Sequence, residues 1–168
     1  MKYILKEISR LAIPEDRWNL LTDEQIQTEW LGKPPASENE IKAAEDRLGV
    51  AFPADYKDFL LIANGFSAPN DIEPGFEPAD RVDFLKNIDP FLVEIWNETE
   101  LDERVDLERS IVVAGIDAEQ YFLLVPPLPG AVNWKYLKFA NWIPGSIYYE
   151  NLEAYFRNVL HFMQKHSK

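Results

Sequence analysis

The sequence predicts an α+β fold: an antiparallel sheet of about four or more strands with helices packed on one face. Three observations carry this. Residues 37–65, SENEIKAAEDRLGVAFPADYKDFLLIANG, read as two helices joined by a fixed turn. Residues 110–139 hold β-branched and aromatic runs broken by Gly- and Pro-bearing segments. Leu152, Tyr155, Phe156, Val159, Leu160 and Met163 then recur at i, i+3, i+4, i+7, i+8 and i+11, the stripe of an amphipathic closing helix.

The elements follow in order. Ile4, Leu5, Ile8 and Leu11 have helical spacing, and Pro14 interrupts before Trp18, Leu21, Ile26 and Trp30, so residues 1–36 form a helical extension expected to pack as an accessory layer. Gly32, Pro34 and Pro35 make an extended connection, because successive prolines remove donors and fix φ. Ser37 and Glu40 have the spacing of a capping box, after which Ile41, Ala44 and Leu48 share one face. Gly49 suits a left-handed helix end and Pro53 the first turn of the next helix, where its missing N–H is harmless. There Tyr56, Phe59, Leu60 and Ala63 form the buried stripe, and Asn64-Gly65 stops the helix.

Beyond a loop at 70–80, Val82, Phe84 and Leu85 suggest a short strand, and residues 89–98 a helix with Phe91, Leu92, Ile95 and Trp96 inward. Ser110–Ala114 and Gln120–Val125 read as a hairpin across Gly115–Glu119. Pro126, Pro127, Pro129 and Gly130 lead to a third strand, Val132–Phe139, with Val132, Trp134 and Tyr136 on one face.

A chain of 168 residues with 46% hydrophobic content is long and apolar enough for a single domain, expected over 1–168. The absence of cysteine removes disulfides, thiolate nucleophiles and Cys-type zinc sites. Lys6, Glu7 and Arg10 break up the apolar residues of the N-terminus, unlike a signal peptide, and no run approaches the roughly 18–20 apolar residues of a membrane helix. A cytoplasmic location is expected.

Charge is distributed unevenly. Residues 71–108 carry 13 Asp or Glu against three basic residues, Arg81, Lys86 and Arg104, whereas the rest of the chain has 16 acidic and 14 basic residues. An acidic insert of this kind repels nucleic acid and attracts basic proteins over a Debye length of about 8–10 Å. It serves equally as a solvated surface that keeps the chain soluble.

Residues with chemical potential do not assemble a recognised catalytic pattern. His161 and His166 lie five apart with no Glu placed as a zincin requires, so no metal site is assigned. Asp102, Glu103 and Asp106 could in principle converge as a hydrolase pair or a hard-cation site, but proximity in sequence is not convergence. Ser37, Ser110 and Ser146 lack a nucleophile elbow, and the seven glycines form neither a Walker nor a dinucleotide pattern, so no cofactor is expected. Asn64-Gly65 reads as a helix stop before it reads as a catalytic amide. Trp30, Trp96, Trp134 and Trp142 are candidate interface anchors; Trp134 and Trp142 fit a core better, whereas Trp96, inside the acidic segment, is the candidate for partner contact.

The run Leu48-Gly49-Val50-Ala51-Phe52-Pro53-Ala54-Asp55-Tyr56-Lys57-Asp58-Phe59-Leu60, followed by Asn64-Gly65, resembles the SUKH superfamily, with Phe52 in place of the usual aliphatic residue before the proline. Ile111–Gly115, Tyr121–Leu124 and Phe139-Ala140-Asn141-Trp142-Ile143-Pro144-Gly145 resemble that family's sheet and aromatic turn, extending the match over 37–162. The resemblance implies a SUKH-like scaffold without a known active site, used by bacterial immunity proteins against toxins and by cell-wall assembly regulators. With the acidic segment it implies a non-enzymatic protein whose partner is a cognate toxin, a basic nuclease domain being the expected class, or another protein with a basic surface; direct nucleic-acid and membrane binding are not expected, and a monomer is the default. A regulatory scaffold in cell-envelope control is the alternative, and a carboxylate-based hydrolase a third reading. The partner-facing residues expected are Glu73, Glu77, Asp80, Asp83, Trp96, Glu98, Glu100, Asp102, Glu103 and Asp106.

Overall fold

Helix pairing at 37–60 sets the frame. A computed structural model describes residues 1–16, 20–98, 105–116, 118, 120–127, 132–140 and 147–166. In it α3 (Glu38–Leu48) opens on the expected capping box: Ser37 Oγ accepts from Glu40 N–H, and Glu40 accepts from Ser37 N–H. Gly49 closes α3 at φ +67°. Glu45 then spans the turn, accepting from Phe52 N–H at 2.7 Å and lying 3.3 Å from Lys57 Nζ. Pro53 is the N-cap of α4 (Ala54–Leu60), one position before the expected first turn. Tyr56, Phe59, Leu60 and Ala63 are fully buried.

Asn64-Gly65 does something other than stop α4, which ends four residues earlier. Asn64 Oδ1 accepts from Ala79 N–H at 2.8 Å, and Phe66 exchanges backbone hydrogen bonds with Phe76, so the pair ties the helices to the loop leading into the acidic segment.

The N-terminal helix α1 (Lys2–Ala12) is more than the accessory layer expected. Its Ile4, Leu5 and Ile8 enter the main core against α7 (Leu152–His166), which buries Leu152, Tyr155, Phe156, Val159 and Met163 as the stripe predicts. Ser9 is buried without cost: its Oγ donates to Leu5 O and accepts from Leu31 N–H. The extension then leaves the core and re-enters it at Leu31 and Ala36. α2 (Asp23–Thr28), started by a Thr22–Gln25 capping box, buries no residue, and Ile26 is exposed.

Among the described residues five antiparallel strands form a sheet in the order β1 (Asp83–Phe84), β2 (Ile111–Ala114), β3 (Gln120–Val125), β4 (Lys135–Ala140) and β5 (Ile147–Tyr149). β4 starts later than expected, and Val132 is 84% exposed. Val125 pairs with Lys135, and Pro126 and Pro127 beyond it have no N–H to continue the ladder.

The register explains how the sheet separates two apolar clusters. Ile111, Leu124 and Tyr136 lie opposite one another across β2, β3 and β4 and face the main core with α1, α3, α4 and α7. Val112, Leu123 and Leu137 form the adjacent row and, by the period of two, face the other way. There they meet Leu85 of α5 (Leu85–Ile88), Val93 of α6 (Pro90–Glu98), Val105 and Leu107. The segment read as an acidic insert thus supplies a second, smaller layer across the sheet from the main helices.

Candidate partner-binding surface

The structure sorts the expected partner-facing residues by where their carboxylates go. Glu73 points inward: its Oε1 is 2.7 Å from Lys138 Nζ, its Oε2 accepts from Tyr155 O–H at 2.9 Å, and the two charged side chains are 11% and 7% exposed. This carboxylate serves the fold. Glu77 is nearly buried, 3.6 Å from Arg81, and its charge helps raise the Tyr56 hydroxyl pKa, for which burial is the larger cause. Asp83 accepts from Asn87 Nδ2 at 2.9 Å and from Phe84 N–H, fixing the step from β1 into α5. Asp106 accepts from Arg109. Asp80 and Glu98 are exposed. Glu100, Asp102 and Glu103 lie outside the described residues.

Trp96 is half-buried. Its Nε1 donates to Val105 O at 3.3 Å and its ring meets Phe139 edge-on at 5.4 Å, so it fastens α6 to the sheet. The opposite face of α6 holds what the sequence reading turned inward. Phe91 is 69% and Ile95 45% exposed. The reason is geometric: apolar residues at 91, 92, 93, 95 and 96 exceed one face of a nine-residue helix, and the sheet takes Leu92, Val93 and Trp96. At 100° per residue, Phe91, Glu94, Ile95 and Glu98 fall within about 100° of arc on the outside. Asp89-Pro90, an N-cap followed by proline at the first helical position, marks where α6 starts but not which face it buries. Asp89 Oδ1 indeed accepts from Leu92 N–H at 3.0 Å, and its Oδ2 accepts from Tyr121 O–H.

Among the described residues, α6 is tied to the rest of the chain through its inner side and its ends. Asn97 Nδ2 adds a hydrogen bond to Glu108 at 3.1 Å. The outer stripe is thus presented in a fixed orientation, which lowers the ordering cost of binding.

Other polar groups are committed locally. Ser110 is buried and its Oγ donates to Asp106 O at 2.6 Å. Asp55 Oδ2 accepts from Leu152 N–H at 2.9 Å, joining α4 to the start of α7. Asp55, Asp58, Glu153 and Arg157 line a cleft of about 520 Å³, where Arg157, bonding Glu153 at 2.6 Å, is the main cause holding that carboxyl below its usual range. His166 stacks on Phe162. Among the described residues no three His, Asp or Glu side chains gather as a metal set, and no helix is long and apolar enough to cross a membrane. Trp30 packs edge-on against Phe66 at 5.7 Å and Trp134 lies half-buried against the main core, while Trp18 and Trp142 lie outside the described residues.

Fold and surface together define an α+β scaffold that carries, on the outside of its sheet, a helix with the exposed stripe Phe91, Glu94, Ile95 and Glu98. Residues 35–158 match the SMI1 / KNR4 family (SUKH-1), well over half of the chain, and the protein belongs to that family. A stretch of 41 residues is also 54% identical to Uncharacterized protein YnaB of Bacillus subtilis (strain 168), covering 24% of this chain and 28% of that relative. The shared stretch is thus less than a third of either protein.

Proposed function

We propose that this protein is a non-enzymatic immunity protein of the cytoplasm that neutralises a cognate bacterial toxin by occluding a basic surface, a nuclease domain being the class that fits best. The observation that carries the reading is the acidic helix α6, held from within and presenting Phe91, Glu94, Ile95 and Glu98 outward. Membership of the SMI1 / KNR4 family supports a protein-binding role. A basic groove built for nucleic acid attracts this surface for the same reason that nucleic acid itself is repelled. Carboxylates raise the association rate, and apolar contacts set the lifetime of the complex.

The test is titration of the purified protein against the product of the adjacent open reading frame, with the activity of that product followed in parallel. A complex that forms at low salt, associates more slowly as salt rises and silences the activity is the expected result. No complex at low salt overturns the proposal. Binding that survives neutralisation of the acidic segment points instead to a regulatory scaffold.

A further inference from the structure

We infer that the outward stripe of α6 is the anchor of the interface, with Phe91 and Ile95 entering an apolar pocket of a basic protein while Glu94 and Glu98 meet Lys or Arg on its rim. This rests on the reading above and narrows it to one helix face.

The neighbouring charges select among occupants. Phe91 and Ile95 are one helical turn apart, and Glu94 and Glu98, also one turn apart, lie beside them on the same exposed arc. A second copy of the chain would bring these carboxylates against themselves, and like charges facing one another across an interface oppose association. Nucleic acid and anionic lipid are repelled by the same groups. A basic protein gains from both halves of the stripe, since its cations pair with the carboxylates as its apolar pocket takes the rings and methyls. The local sign of charge points the same way, with 13 acidic residues against three basic ones in 71–108.

Phe91 in particular belongs to neither apolar cluster. Leu92, Val93 and Trp96 supply the inward contacts, so truncating Phe91 removes a side chain that is 69% exposed and leaves the second apolar cluster intact. An exposed, rigidly held aromatic is the residue type that dominates binding energy once desolvated.

The experiment measures association and dissociation rates of the full chain with the purified product of the adjacent open reading frame, with circular dichroism confirming that each variant is folded. Phe91→Ala is expected to speed dissociation by about 30-fold or more, with a smaller rise for Ile95→Ala. The double variant Glu94→Gln/Glu98→Gln is expected to slow association about tenfold at low salt and to flatten its salt dependence. Asp46→Asn, at an exposed charge on α3, is expected to change neither rate. If the wild-type complex forms and the α6 variants bind like wild type, this inference fails and the proposed function stands. If the wild type forms no complex, both fall.

Discussion

Lys138 is a cation in the middle of a sheet, and its charge is tolerated because a carboxylate reaches it from 65 residues earlier in the chain. Glu73 binds both Lys138 and the Tyr155 hydroxyl, so an acidic residue of the 71–108 segment is locked to β4 and α7 at once. Removing one partner of such a pair leaves the other charge buried and unmatched. Lys138→Met is therefore expected to destabilise the protein by about 3–5 kcal/mol. The double change Lys138→Met/Glu73→Gln should recover much of that loss, because a neutral amide can still accept from Tyr155. Urea denaturation of the single and double variants reads this coupling, and additive losses would show that the pair is not energetically linked.

At the scale of elements, two glycines show how turn geometry and crowding separate. Gly49, which ends α3, has φ +67° and open space where a Cβ would sit, whereas Gly115, after β2, has φ +85° and a Cβ there would run into the Gln120 carbonyl oxygen. Gly49→Ala is expected to cost about 1 kcal/mol from backbone conformation alone. Gly115→Ala should cost appreciably more, because the β2–β3 turn must open to admit the methyl group. Thermal melts of the two variants decide the order, and equal melting temperatures would contradict it.

Much of this level was legible from sequence where chemistry fixes position. Ser37, Glu40, Gly49 and Pro53 each act through a backbone conformation or a local hydrogen bond, and α7 announces itself by five inward residues on one stripe. Elements without such punctuation were hidden. β5 has three residues, two of them exposed, too few to show a period. The phase of α6 was misread because its apolar residues outnumber its buried positions, and only the sheet decides which of them go inward. α1 looked peripheral because nothing local tells a helix that α7 will cover it. The inward turn of Glu73 depended on Lys138, a contact across the chain that no local pattern records.

For the whole molecule, the tyrosines give an alkaline signature. Tyr56 and Tyr155 are fully buried and Tyr136 nearly so, and burial is the first cause that pushes all three hydroxyls well above the ordinary 10.0. Nearby carboxylates add to it: Glu77 for Tyr56, Asp55 for Tyr136 and Glu73 for Tyr155. Because the folded values are raised, these groups contribute stability that is fully present below about pH 10 and is lost as pH rises beyond it, when the unfolded chain releases protons that the folded chain retains. Tyr56, Tyr136 and Tyr155 are expected to ionise only as the helical signal collapses. Tyrosinate absorbance and circular dichroism followed together check this, and a smooth titration of all seven tyrosines before unfolding would contradict it.

The division of the apolar interior by the sheet bears on how such a protein can change. Val112, Leu123 and Leu137 are the footing on which α5 and α6 stand, while Ile111, Leu124 and Tyr136 belong to the larger interior behind them. A lineage can therefore rewrite the outward face of α6 and leave the interior alone, provided that Leu92, Val93 and Trp96 still sit on that aliphatic patch.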